Sequence, residues 1–182
     1  MAKAIGLVEY TTIAVGIQAA DLMVKTAEVE LLEAETVCPG KYIALIAGDL
    51  SAVKAAVEAS KQKFSENLID SFVLGNPHAD IFPAIYGATD VGDVHALGVL
   101  ETFSAASIIV AADIAAKTAI VKLIELRIAK GMCGKSYMLI TGEVAAVDAA
   151  IEKAKLALKD EGAVIGSSVI ARPDDKLWKT IL

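Results

Sequence analysis

Residues 4–27 read AIGLVEYTTIAVGIQAADLMVKTA, and residues 96–119 read ALGVLETFSAASIIVAADIAAKTA. At an offset of 92 they agree at 11 of 24 positions, including Gly6/Gly98, Glu9/Glu101, Asp21/Asp113 and Lys25-Thr26-Ala27/Lys117-Thr118-Ala119. A second block follows in the same order. Residues 40–57, GKYIALIAGDLSAVKAAV, match residues 134–151, GKSYMLITGEVAAVDAAI, at an offset of 94 with 9 of 18 identical. A third aligns Val73-Leu74-Gly75-Asn76-Pro77 with Val169-Ile170-Ala171-Arg172-Pro173 at an offset of 96. Order and spacing kept through three blocks mean a tandem duplication of a unit of about ninety residues. The step from 92 to 94 places two extra residues in the second copy, just before Cys133.

Each copy has a readable pattern. AIGLVEY is a short apolar run and predicts a strand. Thr11 or Thr12 can cap the helix after it, in which Ile13, Ile17, Ala20 and Val24 recur at helical spacing. Residues 29–37 predict a strand and Cys38-Pro39-Gly40-Lys41 a turn. YIALIAG is a second apolar strand, and Asp49 or Ser51 caps a helix running to about Phe64. Strand character returns from Leu68 to Leu74, with a short helical tail near Ile81. The unit is therefore β-α-β-β-α-β, an α+β ferredoxin-like arrangement with both helices on one face of the sheet. A Gly- and Asp-rich stretch, 87–94, links the copies, so the domains are expected at 1–90 and 91–182.

The chain has 182 residues, of which 55% are hydrophobic but only 5% aromatic. Its mean hydropathy, +0.58, is high for a soluble monomer. Yet apolar runs such as Phe103–Ala112 fall well short of the roughly 20 residues needed to span a bilayer. Burial against other subunits accounts for the surplus better. The net charge of −6 and the lack of a basic cluster argue against a nucleic-acid partner. MAKAIGLVEY enters a strand pattern directly, without the regions of a signal peptide, and two cysteines in a chain this long predict free thiols in a reducing cytoplasm.

These residues, taken together, resemble a known family. The set G-[LV]-[VL]-E, A-A-D-x-x-x-K-T-A, a Gly-Lys turn before an apolar strand, and a closing Gly-[DE], present twice, is similar to the bacterial microcompartment shell (BMC) domain. Two fused copies resemble the tandem-domain shell proteins, three chains of which form a pseudohexameric trimer around a central pore. Cys38-Pro39-Gly40-Lys41, Asn76-Pro77-His78 with Pro83-Ala84-Ile85, Gly134-Lys135 before Tyr137-Met138, and Ile170-Ala171-Arg172-Pro173 with the late Trp178 resemble the T-type branch from propanediol-utilisation microcompartments. That resemblance implies a structural role in a cytoplasmic shell rather than an enzyme. The implied partners are two further copies, other shell proteins laterally, and encapsulated redox enzymes. It also implies a 4Fe-4S iron–sulfur cluster on the threefold axis, held by one loop cysteine per chain.

Here the chain departs from the pattern. The family's cysteine follows the Gly-Lys pair, where this chain has Ser136; its own cysteine, Cys133, precedes the pair. The cluster carries over only if Cys133 lies nearer the axis than Ser136. One thiol per chain supplies three in a trimer, against the usual four, leaving one iron for a small ligand. Read from the residues alone, Cys133 is better explained as a small loop residue without a ligand. The pore loops are expected to comprise Met132, Cys133, Gly134 and Ser136 in one copy and Pro39 and Gly40 in the other. Cys38 aligns with Met132 and Pro39 with Cys133, so a ring of six thiols is excluded.

Lys25 and Lys117 fall near the ends of equivalent helices, where a cation suits the helix dipole. The resemblance implies that they lie at the tile edge with Arg172, Asn76 and His78. Glu9 and Glu101 are explained by duplication and need no acid–base role. His78 and His95 have no metal-ligand spacing, and no P-loop, nucleophile elbow or dinucleotide fingerprint is present. Two rival readings remain: a soluble iron–sulfur redox carrier that needs no lateral assembly, and a dimeric sensor of ferredoxin-like type.

Overall fold

The helix breaks after Thr26 and Thr118, the turns at Pro39 and Gly134, and the caps at Thr12 and Ser104 divide the chain into two copies of one pattern. The computed structural model describes residues 4–182. The first copy comprises β1 (Ala4–Tyr10), α1 (Ile13–Thr26), β2 (Val29–Val37), β3 (Lys41–Gly48), α2 (Leu50–Lys63), β4 (Leu68–Gly75) and a short α3 (Ile81–Ile85). The second comprises β5 (Ala96–Thr102), α4 (Ala105–Thr118), β6 (Val121–Arg127), β7 (Ser136–Gly142), α5 (Val144–Ala157), β8 (Val164–Ile170) and α6 (Asp175–Ile181). Each copy folds as one antiparallel four-stranded sheet, in the orders β2-β3-β1-β4 and β6-β7-β5-β8. The expected β-α-β-β-α-β order is present twice.

The caps are local and explain the helix starts. Thr12 Oγ1 accepts the Val15 N–H at 3.4 Å, and Ser104 Oγ accepts the Ser107 N–H at 3.0 Å. One face of the first sheet, with Ala4, Val8, Tyr10, Ala44 and Ile46, packs under α1 and α2. Gly6 and Gly98 are shared because the helices come close. A Cβ on Gly6 would lie 2.7 Å from Val53 Cγ1, and one on Gly98 would lie 2.7 Å from Val147 Cγ1. Elsewhere the copies divide equivalent space differently. Gly16 lies under Tyr42, with a hypothetical Cβ only 2.2 Å from the Tyr42 Cβ. At the places of Gly16 and Tyr42 the second copy carries Ile108 and Ser136, both fully buried.

The opposite face of the first sheet is not left to solvent. Ile5, Leu7, Ile43 and Leu45 share one apolar core with Ala105, Ile109, Ala112 and other residues of α4. Helix α4 lies against β1 and β4, while α3 packs beside β6. The second copy thus covers the first copy's outer face, and the two form one body with a common core. No described helix is long and apolar enough to cross a membrane.

Candidate functional site: the Cys133 loop and its seam

The loop is built where β6 ends and β7 begins. Its backbone turns through Ala129 (φ 55°), Gly131 (φ 74°), Cys133 (φ 52°) and Gly134 (φ 86°). Left-handed conformations are strained for Ala and Cys, so the surroundings must impose them. Several bonds do so. The Ser136 hydroxyl accepts the Ala129 N–H at 3.0 Å, and the Met132 carbonyl accepts the Lys135 N–H at 3.1 Å. Across the copies, the Ala129 carbonyl accepts the Cys38 N–H at 3.0 Å. The first copy's turn, with a cis Cys38–Pro39 bond and Gly40 at φ 99°, therefore lies beside the second copy's loop. Gly134 sits at that contact: a Cβ there would be 3.0 Å from the Cys38 carbonyl oxygen and 3.1 Å from Lys41 Nζ.

The expected pore residues separate into two groups. Cys133, Pro39 and Gly40 are exposed, and Met132 is half-buried. Gly134 is buried, and so is Ser136, whose hydroxyl braces the loop from within. Ser136 is thus a correction to the expected lining: it opens β7 at the position of Tyr42, facing the helices. Cys133 is the free thiol that the loop presents outward; Cys38 is half-buried. Among the described residues no group of three or more His, Cys, Asp or Glu is arranged to hold a metal within one chain. The fit of an iron–sulfur cluster therefore turns on symmetry: a single exposed cysteine on a braced loop can serve as one ligand of three.

Below the loop runs a seam of polar contacts between the copies. Glu9 is fully buried, its Oε1 2.7 Å from Lys41 Nζ, and its Oε2 accepts the Ala105 N–H at 3.1 Å. A carboxylate there meets the positive end of the α4 dipole. Glu9 is therefore more than a duplicated residue: it ties the first sheet to the second copy's helix. Asp70 accepts hydrogen bonds from the Ser104 and Ser107 hydroxyls. Asp113 accepts the His78 N–H at 2.8 Å, and Lys117 donates to Asp113 and to the Asn76 carbonyl at 2.7 and 2.8 Å. Among the described residues Lys25 forms only an exposed pair with Asp21 at 2.6 Å, and Arg172 is exposed. The expected edge residues therefore divide: Asn76, His78 and Lys117 are engaged within the chain, whereas Lys25 and Arg172 face outward.

The loop lysine completes the seam. Lys130 Nζ lies 2.7 Å from Glu35 Oε1 and 3.8 Å from Glu33 Oε2, both on β2 of the other copy. Burial first, and then a hydrogen bond shared with Glu35, push the Glu33 carboxyl up to about 7 against the pull of Lys130. This cluster was not legible in the sequence, because Lys130 belongs to the insertion and has no aligned counterpart.

Comparison with known proteins agrees with this architecture. The BMC domain model matches residues 4–77 and again 96–173. The chain belongs to the bacterial microcompartment shell proteins, with two tandem BMC domains. It is 40% identical over 182 residues to the bacterial microcompartment shell protein PduT of Citrobacter freundii, covering 100% of this chain and 99% of that one. The crystal structure of a microcompartment protein from Desulfitobacterium hafniense superposes with a TM-score of 0.87 at 47% identity, covering 97% of this chain and 98% of that chain. The carboxysome shell protein CsoS1 of Prochlorococcus marinus is 33% identical over 95 residues, 50% of this chain and 92% of its own length. The tandem BMC fold places the Cys133 loop and the Cys38 turn between equivalent strands of their two domains.

Proposed function

We propose that three copies of the chain close head to tail into a pseudohexameric shell tile, with the Cys133 loops around its central opening. One observation carries this reading: the surfaces that meet inside the chain recur, unmatched, at its two ends. Ala105, Ile109 and Ala116 of α4 are 0%, 0% and 9% exposed against the first sheet. Their counterparts on α1, Ile13, Ile17 and Val24, are 40%, 54% and 39% exposed. The second sheet's outer face likewise keeps an open cleft of about 380 Å³ lined by Leu97, Val99, Tyr137, Leu139 and Leu177. An α1 from the next chain fits there as α4 fits the first sheet. The polar contacts have counterparts too. Glu101 and Lys135 stand where Glu9 and Lys41 stand, facing the start of the next α1 at Ile13. Such a heterologous contact must close into a ring to satisfy every copy.

Within that ring, one Cys133 per chain would bind a 4Fe-4S cluster, and its glycine neighbours let the loops approach closely. When bound, such a cluster accepts and returns single electrons across the tile. The protein's own part is to hold the thiols: Ser136 and the Cys38 N–H brace the loop, while Pro39 of the alternate domain offers no ligand. Outward-facing Lys25 and Arg172 would serve lateral contacts between tiles, with encapsulated redox enzymes on the route of the electrons.

The test is anaerobic purification of the wild type and Cys133→Ser, with iron and sulfide content, a visible spectrum and sedimentation. Iron and sulfide in wild-type trimers, lost in Cys133→Ser trimers, is the expected result. Anaerobic wild-type trimers free of iron would sink the cluster and leave a tile with an open centre. A wild-type chain that sediments as a monomer would sink the ring.

A further inference from the structure

Within the chain, Lys122 of the second copy lies 3.7 Å from Asp80 of the first. Strand register identifies the corresponding residues of the two copies. Val29 faces Gly48 as Val121 faces Gly142, so Glu30 stands where Lys122 stands. Leu74 faces Ile5 as Ile170 faces Leu97, so Lys176, six residues beyond Ile170, stands where Asp80 stands beyond Leu74. The intervening turns agree: the His78 carbonyl accepts the Ile81 N–H at 3.1 Å, and the Asp174 carbonyl accepts the Leu177 N–H at 2.9 Å. Both members of the pair have therefore changed sign between copies. Glu30 and Lys176 are exposed and, among the described residues, neither has an ion-pair partner within the chain.

We infer that the surface around Lys176 selects the first domain of a second copy of this chain, by pairing with the partner's Glu30. This rests on the head-to-tail ring proposed above. The reversed pair keeps attraction wherever a second domain's face meets a first domain's edge. It turns to repulsion in the other combinations. Two second domains would set Lys176 against Lys122, and two first domains would set Asp80 against Glu30.

The loop cluster follows the same rule independently. Lys130 pairs with Glu35 at 2.7 Å and lies 3.8 Å from Glu33 on the first copy's outer face. In the second copy, register puts Glu125 and Arg127 at the places of Glu33 and Glu35, and they pair with each other at 2.7 Å. That face is neutral before a partner arrives. The arriving first-domain turn lacks the Lys130-Gly131 insertion and so brings no counterpart of Lys130; its own Lys41 is held by Glu9. A second-domain loop arriving instead would add Lys130 to a site already holding Arg127. Two separate places thus favour the alternation of first and second domains and disfavour like against like.

The experiment is sedimentation over a dilution series, at low and moderate salt, of wild type, Lys176→Glu, Glu30→Lys and the double variant, with circular dichroism to verify the fold. Three seams change at once, so each single reversal should raise the concentration of half-dissociation about tenfold or more. The double variant should return near the wild-type value, and salt should shrink the single-variant effects. Wild-type trimers indifferent to either reversal, or a double variant no better than the singles, would overturn this inference alone. A monomeric wild type would overturn it together with the ring.

Discussion

At the residue scale, the chemistry concentrates on a few buried charges between the copies. Glu9 is held by Lys41 and by the amide that starts α4, so its duplication partner Glu101 carries the same demand to the chain's outer end. Glu33 gives a pH signature. Its carboxyl titrates near the ordinary 4.5 when unfolded and near 7 when folded. Between those values the folded chain holds a proton that the unfolded chain has lost. The associated stabilisation is complete below about 4.5 and is lost as pH rises through about 7. Thermal melts from pH 5 to 8 should show stability falling over this window, and Glu33→Gln should flatten the fall. An unchanged slope in the variant would mean that Glu33 is ionised throughout. This effect could not be read in the sequence, where Glu33 is one of several acidic residues along a strand.

At the element scale, the strands, helices and turns were legible because they rest on local chemistry. The helices Ile13–Thr26 and Leu50–Lys63 and the strand Val29–Val37 lie where spacing and capping put them. The last strand of the first copy runs one residue past Leu74, to Gly75. What the elements exchange with each other was not legible. Gly16 admits Tyr42, whereas Ser136 answers to Ile108, and no rule of spacing couples those positions. Gly16→Ala would put a methyl 2.2 Å from the Tyr42 Cβ and should destabilise the chain by about 1–3 kcal/mol through overpacking. Chemical denaturation measures this, and an equally stable variant would show that α1 can lift from β3 without loss. The same packing takes Ser136 out of the expected pore lining: it is buried at the head of β7.

At the scale of the whole molecule, the two domains share one core, and each end of the chain repeats half of the seam between them. A ring follows from that repetition, and lateral assembly concerns what remains exposed outside it. Lys25 and Arg172 are outward-facing in the single chain, and the ring would bring Lys25 to the next chain's Arg172 at the rim, as Lys117 meets the Asn76 carbonyl within the chain. Lys25→Ala combined with Arg172→Ala should therefore abolish sheets seen by electron microscopy and leave trimers by sedimentation. Sheets that persist would move the lateral contact elsewhere; sheets absent from the wild type itself would favour the soluble-carrier reading.

The duplication, the β-α-β-β-α-β order, the two-residue insertion and the resemblance to the shell family can all be read along the chain. Each of these is carried by local propensity or by order along the chain. The tertiary structure was needed to show that Ser136 is buried while Cys133 faces out. It alone brought Lys130 to Glu33 and Glu35, and Lys122 to Asp80. Those contacts join residues from opposite halves of the chain, and their strength depends on burial and on distances that periodicity does not encode. A duplicated sequence says that two surfaces are alike; the fold says which copy is covered, and so which one still seeks a partner.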